Sequence, residues 1–251
     1  MPRYTAKQKK DRKEKISVFS LAFPLFSILY AEEIWIYFTD EKMSVFRLLF
    51  ALAAGCFTAA LCRITPWKGL NYLLQTVWVA FFSVLFAAQY LCFRVYGVYF
   101  SVFAPKEWME YLPGALGAVA DHLPFLLCIA VPLLLQLLVQ STAVLRRHCV
   151  FDGFMSALGM LLLTVILSFV SVTLAFYSDN GDASPRRQLE ISYMPEASVE
   201  TFGVLPQTVL DLKFNVLHIA EEEIVRHYVV TEDGQRVELT EEELAVWERE
   251  G

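Results

Sequence analysis

The sequence predicts an all-α membrane protein with five transmembrane helices, and three observations lead to this fold class. Of the 251 residues, 56% are hydrophobic and 19% are charged, with a mean hydropathy of +0.46. Soluble domains are about 45–50% apolar and about 25% charged. Five stretches reach the roughly 20 apolar residues that a hydrocarbon core of about 30 Å requires. Charge is also uneven, because residues 179–251 hold 17 acidic and 6 basic side chains in a chain of net charge −6.

Each apolar stretch is expected to be an α-helix, since lipid offers no hydrogen-bond partner to exposed backbone N–H and C=O groups. Three prolines, Pro24, Pro124 and Pro132, lie within or at the ends of these stretches and predict kinks or first helical turns. The predicted spans are Ile16–Phe38, Val45–Ile64, Tyr72–Phe93, Leu123–Val144 and Phe154–Phe176.

Lysine and arginine near the span ends predict the orientation. Seven basic residues precede the first span, Arg63 and Lys68 lie between the second and third, and Arg146 and Arg147 lie between the fourth and fifth. Five spans place these three segments on one side of the membrane. We therefore expect a multi-pass protein of the cell membrane with a cytoplasmic N-terminus and an extracytoplasmic C-terminus.

This topology divides the chain into four parts with different surroundings. A cleaved signal peptide is disfavoured, because the first apolar stretch is long and "EEIW" (Glu32–Trp35) offers no small-residue cleavage site. The basic N-terminus lies beside a span. This position favours a role in setting the membrane topology, near anionic lipid, over a role in nucleic-acid binding. The predicted parts are a basic cytoplasmic N-terminus (1–15), a transmembrane domain (16–176), extracytoplasmic juxtamembrane linker helices (177–217) and an acidic extracytoplasmic tail (218–251).

The connection between the third and fourth spans, from Arg94 to His122, is the long one and is rich in aromatic residues. Aromatic side chains favour the boundary between membrane and water. The sequence predicts either a short amphipathic helix on the outer surface, anchored by Trp108 and Tyr111, or a loop packed on the bundle.

The cysteines and histidines form no recognisable metal pattern. All five cysteines lie in or beside the spans, without a C-x-x-C pair, and are expected to be small buried hydrophobic residues. His218 and His227 in the tail are not spaced as helix ligands with an acidic partner. We expect no metal site and no cofactor in this chain. The cysteines are Cys56, Cys62, Cys92, Cys128 and Cys149.

Four ionisable residues, Glu32, Glu33, Arg47 and Arg94, are predicted to lie at one depth near the outer leaflet, and we call them the polar layer. The two glutamates lie about 16 residues, or roughly 24 Å, into the first span. The arginines lie near the outer ends of the second and third spans. Three interpretations remain open: an interhelical ion pair that fixes packing, a pocket for a lipid headgroup, and a proton or ion pathway.

The linker after the fifth span carries an apolar stripe at helical spacing, together with charged residues that exclude it from hydrocarbon. Pro206 within the stripe predicts two shorter helices or a kink in place of one rod. The stripe consists of Val199, Phe202, Leu205, Val209 and Leu212.

The segment Tyr177–Leu217 resembles the exit from the fifth span in the lipoteichoic acid synthase family and its sulfatase-like relatives in Gram-positive bacteria. The matching features are the polar "YSDNGDASPRR", the step "VETFG" and the helical "LPQTVLDLK". The resemblance covers residues 16–217. It implies a five-span domain joined to an extracytoplasmic domain of the alkaline phosphatase/sulfatase superfamily. In that domain a threonine beside manganese transfers phosphoglycerol from phosphatidylglycerol during cell-envelope polymer synthesis.

The 34 residues after Leu217 depart from this family pattern. They predict a short hairpin with Asp233-Gly234 at the turn and a capped helix opened by Thr240. So short a tail cannot bury a core around a catalytic centre. We expect no catalytic residue here, and manganese only in the family's catalytic domain.

Two interpretations of function remain. One is a membrane-anchoring domain of the lipoteichoic acid synthase type, with membrane lipids such as phosphatidylglycerol and a separate catalytic domain as partners. The other is a stand-alone, non-enzymatic membrane subunit or assembly factor whose acidic tail binds an envelope protein. A small transporter is disfavoured, because the chain has no paired charges at mid-membrane and no inverted repeat. No nucleic-acid partner is expected.

Overall fold

The computed structural model describes residues 6–65, 67–99, 101, 103, 105–142, 154–178, 184–190, 195–217, 228–230 and 236–238. The chain divides into two compact units, Met1–His218 and Ile219–Gly251. Several residues of the sequence-based predictions lie outside the described ranges: Arg146, Arg147, Cys149, His218, His227, the turn 233–234 and the predicted helix from 240.

The first unit is built from long helices, as its composition predicts. Three stretches, Gly69–Tyr96, Leu123–Ser141 and Met155–Tyr177, are long and apolar enough to cross a membrane. These three helices are consistent with a membrane protein. Within the described residues, the longer helices are α1 (Ala6–Thr39), α2 (Val45–Leu61), α3 (Lys68–Tyr96), α4 (Pro105–Gly117), α5 (Leu123–Ser141) and α6 (Phe154–Tyr177).

The first two helices differ from the predicted spans in their bounds. Helix α1 begins ten residues before Ile16, because the basic segment "AKQKKDRKEK" consists mostly of good helix formers. Helix α2 has 17 residues and ends at Leu61, at the short end of the range for a spanning helix. Its C-terminal side is held to α6 by Arg63, which is buried and donates to Ser156 Oγ at 2.5 Å.

The helices pack around a dense aromatic core. Helix α2 lies between α1 and α6, while α3 packs on α5 and both contact α1. Trp35 of α1 is fully buried and presents edge contacts to Phe86, Tyr90 and Phe125, with ring centroids 6.0–6.4 Å apart. Tyr90 and Phe125 are stacked at 3.7 Å. This core fixes α1 against α3 and α5.

Helix α4 occupies the long aromatic connection and packs on α3. The Tyr96 hydroxyl donates to the Tyr111 carbonyl at 3.2 Å, and the two rings lie 4.9 Å apart. The same hydroxyl fills the space that a Cβ at Gly114 would need. The connection therefore combines a short helix with packing on the bundle, the two forms that the sequence left open.

The segment after α6 forms what we call the exit helices, α7 (Pro185–Glu190), α8 (Pro195–Phe202), α9 (Val204–Asp211) and a π-helix (Leu212–Val216). The break between α8 and α9 falls at Gly203, whose φ of +94° suits glycine. It does not fall at Pro206, which lies in the first turn of α9, where a missing N–H costs little. Of the predicted stripe, Val199 and Phe202 are fully buried, whereas Val209 is 66% exposed.

The cysteines of the described part are free thiols, with Cys56, Cys62 and Cys92 buried and Cys128 half-buried. In the second unit, considered by itself, Tyr228–Val230 pairs antiparallel with Arg236–Glu238, with Val229 opposite Val237.

Candidate functional site

The candidate site is centred on Arg47, a fully buried arginine in the first turn of α2. Ser44 caps this helix: its Oγ accepts from the Arg47 backbone N–H at 3.0 Å and donates to the Thr201 carbonyl of α8. A cation near a helix N-terminus is disfavoured by the helix dipole. The burial of Arg47 therefore requires compensating negative charge from its surroundings.

The Arg47 guanidinium contacts three chain segments at once. Its Nη2 donates to Glu41 Oε2 at 2.6 Å and to the Val199 carbonyl of α8 at 2.9 Å. Its Nε lies 3.1 Å from Glu32 Oε2 of α1. This last contact is an ion pair by distance, because the Nε–H does not point along a hydrogen-bond direction to the carboxylate. Arg47 thus holds together α1, the α1–α2 loop and α8. We call Glu32, Glu41 and Arg47 the Arg47 cluster.

The Glu32 carboxylate reaches from α1 to the start of α9. It is buried, and it accepts a hydrogen bond from the Val204 backbone N–H. A Cβ at Gly203 would lie 2.8 Å from Glu32 Oε1 and 3.0 Å from Oε2, so only glycine allows this approach. A carboxylate at a helix N-terminus satisfies a free N–H group and interacts favourably with the dipole. Glu32 therefore acts as the cap of α9, supplied from a distant helix.

Glu41 connects the cluster to the aromatic core. Its Oε1 accepts from the Trp35 indole N–H at 3.1 Å, and its carboxylate also accepts from the Tyr99 hydroxyl. A buried Trp or Tyr needs a partner for its polar group, and Glu41 serves both. Burial, together with the nearby Glu41 charge, raises the pKa of the Tyr99 phenol above its ordinary value.

The structure brings together two residues of the predicted polar layer and separates the other two. Glu32 and Arg47 form the pair described above, whereas Glu33 is exposed. Arg94 is also exposed: its Nε donates to the Tyr90 hydroxyl at 3.2 Å, and its guanidinium lies 5.5 Å from the Tyr90 ring centroid. Burial decides the difference, because an exposed charge can be solvated without a partner.

Glu41 is the member of the site that the sequence did not predict. It lies in "FTDEKM", which the span pattern assigns to a turn facing the outside. A signal was present, because a turn between Thr39 and Val45 is short. Its acidic residues must therefore lie beside the first turn of α2, where Arg47 needs negative charge.

Two further contacts fix the exit helices on the bundle. Phe202 is fully buried and meets Phe46 and Phe50 of α2 edge-on, at centroid distances of 5.8 and 5.7 Å. The Ser101 hydroxyl donates to Asp211 Oδ2 at 2.8 Å, and both residues are buried. The exit helices are therefore held on the bundle by an aromatic contact as well as by buried polar contacts.

The chemistry of this arrangement is that of a buried ion-pair network. Two carboxylates and one guanidinium, each bonded to other parts of the chain, favour a fixed geometry. Among the described residues, no group of three histidine, cysteine or carboxylate side chains is placed to bind a metal ion. No family model, curated protein or solved structure matches the chain.

Proposed function

We propose that the chain is a five-span membrane domain that anchors and positions the polypeptide leaving it on the extracytoplasmic side. The observation that carries this proposal is the Arg47 guanidinium, which bonds at once to Glu41 and the Val199 carbonyl and pairs with Glu32. A simple anchor needs only spanning helices, and the segment after it moves freely by default. Buried bonds to the segment after the last span point to a defined exit geometry.

Five spans are supported by three helices that meet the requirements of length and hydropathy. Helix α2, a mostly apolar helix of 17 residues, and the apolar part of α1 supply the other two. The basic residues before Ile16 favour a cytoplasmic N-terminus. An odd number of spans then directs the exit helices and the acidic tail to the outside.

The class of activity that we propose for the attached domain is taken from the resemblance to lipoteichoic acid synthases. In that class a catalytic domain transfers phosphoglycerol from phosphatidylglycerol, so it must work on headgroups at the membrane surface. A domain held close to that surface meets its lipid at a high effective concentration. We propose that the bundle and its exit helices provide this placement, with manganese and the nucleophile belonging to the catalytic domain.

The test is a chimera in which residues 1–217 carry the catalytic domain of a phosphoglycerol transferase, in a strain lacking its own enzyme. We expect membrane insertion and restored glycerol-phosphate polymer. A matched variant replaces residues 184–217 with a flexible Gly/Ser linker of equal length, which keeps the anchor and removes the docked exit helices. Because only placement is lost, we expect normal insertion but at least about tenfold less polymer.

Each outcome of this comparison decides one part of the proposal. Equal polymer from both chimeras would refute positioning and leave an anchor only. An inserted chimera with an accessible catalytic domain but no polymer would refute the synthase-type role. The orientation is tested separately, because a protease added to intact protoplasts should remove an epitope placed after Gly251 and leave one before Arg3.

The second candidate is a non-enzymatic membrane subunit whose acidic tail binds an envelope partner. The observation that favours it is the charge of residues 179–251, with 17 acidic against 6 basic side chains. Cross-linking on intact cells, followed by identification of the partner, tests this candidate. Salt-sensitive capture of a basic envelope protein would support it, since such contacts are screened by salt. Capture that is unaffected by charge neutralisation of the tail would contradict it.

A further inference from the structure

A groove of about 410 Å³ lies between α2, α6 and the exit helices. Its walls are mostly apolar: Phe50 and Phe57 mark its extent along α2, and Val172 and Thr164 mark it along α6. Leu189 of α7 and Val209 of α9 lie among the residues that line it at the exit. The groove therefore continues from the exit helices into the membrane-spanning part of the bundle.

The groove is shorter than the thickness of one leaflet. Its lining runs seven residues along α2, from Phe50 to Phe57, which is about 11 Å along the axis. Along α6 it runs eight residues, from Thr164 to Val172, which is about 12 Å. Half of a hydrocarbon core is about 15 Å. The groove therefore has room along its axis for part of one acyl chain, on the side of the membrane where the exit helices leave.

Two cationic side chains lie at the rim of the groove, although the surrounding segment is acidic overall. Lys213 Nζ donates to the carbonyl of the lining residue Leu189 at 2.5 Å, so the ammonium group lies at the groove edge. The Arg186 guanidinium lies 5.6 Å from the ring of Phe176, at the end of α6. Arg186 and Arg187 belong to the same short helix as Leu189. Lys213 and Arg186, two of the six basic residues after position 178, thus lie next to the groove.

We propose that this groove binds one anionic phospholipid, with an acyl chain along α2 and α6 and the phosphate at Lys213 and Arg186. Lipid tails are as apolar as the groove wall, so the chain alone gains little by entering it. Selection must therefore come from the charged rim, where basic residues near a membrane surface favour anionic lipid by about fivefold each. The lipid is a resident ligand that fills the space under the exit helices. The site depends on membrane insertion and is independent of the family resemblance.

The test compares two spin-labelled lipids with the same acyl chain, phosphatidylglycerol and phosphatidylcholine, at trace amounts in phosphatidylcholine vesicles that contain the full chain. At low salt we expect the protein to immobilise phosphatidylglycerol at least about fivefold more strongly. Lys213→Gln combined with Arg186→Gln should bring this ratio close to one. Lys42→Gln, which removes an exposed charge from the α1–α2 loop, is the matched control and should leave the ratio unchanged.

A second variant tests the groove without removing a cation. Val209→Glu places a carboxylate at an exposed position of the groove lining, where folding is not at stake, and should lower the ratio at least about threefold by repulsion. Equal immobilisation of both lipids by the unmodified chain would overturn the proposal, and is expected if a second copy fills the groove. An equal loss in Lys42→Gln would also overturn it, since the effect would then be general surface charge. Displacement by soluble glycerol phosphate would overturn the part assigned to the acyl chain.

Discussion

Replacing Arg47 with leucine should destabilise the whole bundle, because the change removes the one cation of the Arg47 cluster. Glu32 and Glu41 would remain with their charges buried or half-buried, and the Val199 carbonyl would lose its donor. Breaking a buried ion pair by removing one partner costs about 3–5 kcal/mol. For a chain of this size, that loss lowers Tm by roughly 6–20 °C.

The assay is thermal unfolding of the full chain in one detergent, followed by tryptophan emission. Trp35 donates its indole N–H to Glu41, so its emission reports on the cluster directly. Arg94→Leu is the matched control, because this arginine is exposed and its bonds go to the Tyr90 hydroxyl and the Phe38 carbonyl, so its removal leaves neutral groups behind. Exposed charges contribute about 1 kcal/mol or less, so its Tm should fall by no more than about 4 °C.

A double-mutant cycle separates the ion pair from simple misfolding. Glu32→Gln removes the charge but keeps an oxygen that can accept from the Val204 N–H, so it should cost less than Arg47→Leu. The combination of Arg47→Leu and Glu32→Gln should be more stable than the sum of the single losses, by at least about 1 kcal/mol. Additive losses, or a Tm for Arg47→Leu within about 4 °C of the unmodified chain, would refute the reasoning.

Three other changes give expected outcomes. Gly203→Ala introduces a Cβ that meets Glu32 and strains a φ of +94°. The cost of about 1–3 kcal/mol should appear as faster limited proteolysis of the exit helices. An unchanged rate of proteolysis would contradict the close packing of Glu32 on Gly203. Ser44→Ala removes the α2 cap and its bond to Thr201, and should lower the free energy of unfolding by about 1 kcal/mol, measured in denaturant. The raised pKa of Tyr99 means that its contribution to stability is complete below the ordinary phenol value of about 10 and is lost as pH rises above it. Tyr99→Phe should therefore reduce the loss of unfolding free energy at alkaline pH. An identical pH profile of stability in the two proteins would contradict the assignment.

The fold class could be predicted from the sequence because spanning a membrane imposes a local requirement. About 20 consecutive apolar residues must appear wherever a helix crosses, so α3, α5 and α6 were visible in composition alone. Helix ends were less predictable. The basic segment before Ile16 continues α1 through its helix propensity, which hydropathy does not measure.

The candidate site was predicted only in part. Glu32 and Arg47 were expected at one depth, and the structure pairs them. The same argument grouped Glu33 and Arg94 with them, but depth does not reveal the direction in which a side chain points around its helix. Adjacent residues on a helix lie about 100° apart, since a turn takes 3.6 residues. Glu32 can therefore be buried while Glu33 is exposed.

From the sequence by itself we could predict a membrane environment, a helical class and an extracytoplasmic exit of the charged segment, because these predictions use residues close together in the chain. Only the tertiary structure decided that the exit helices return to the bundle. The Arg47–Val199 contact joins residues 152 positions apart, and the approach of Glu32 to Gly203 spans a similar distance along the chain. Contacts of this kind depend on which helix faces pack together. That choice is made by the whole set of buried side chains, and no local pattern records it.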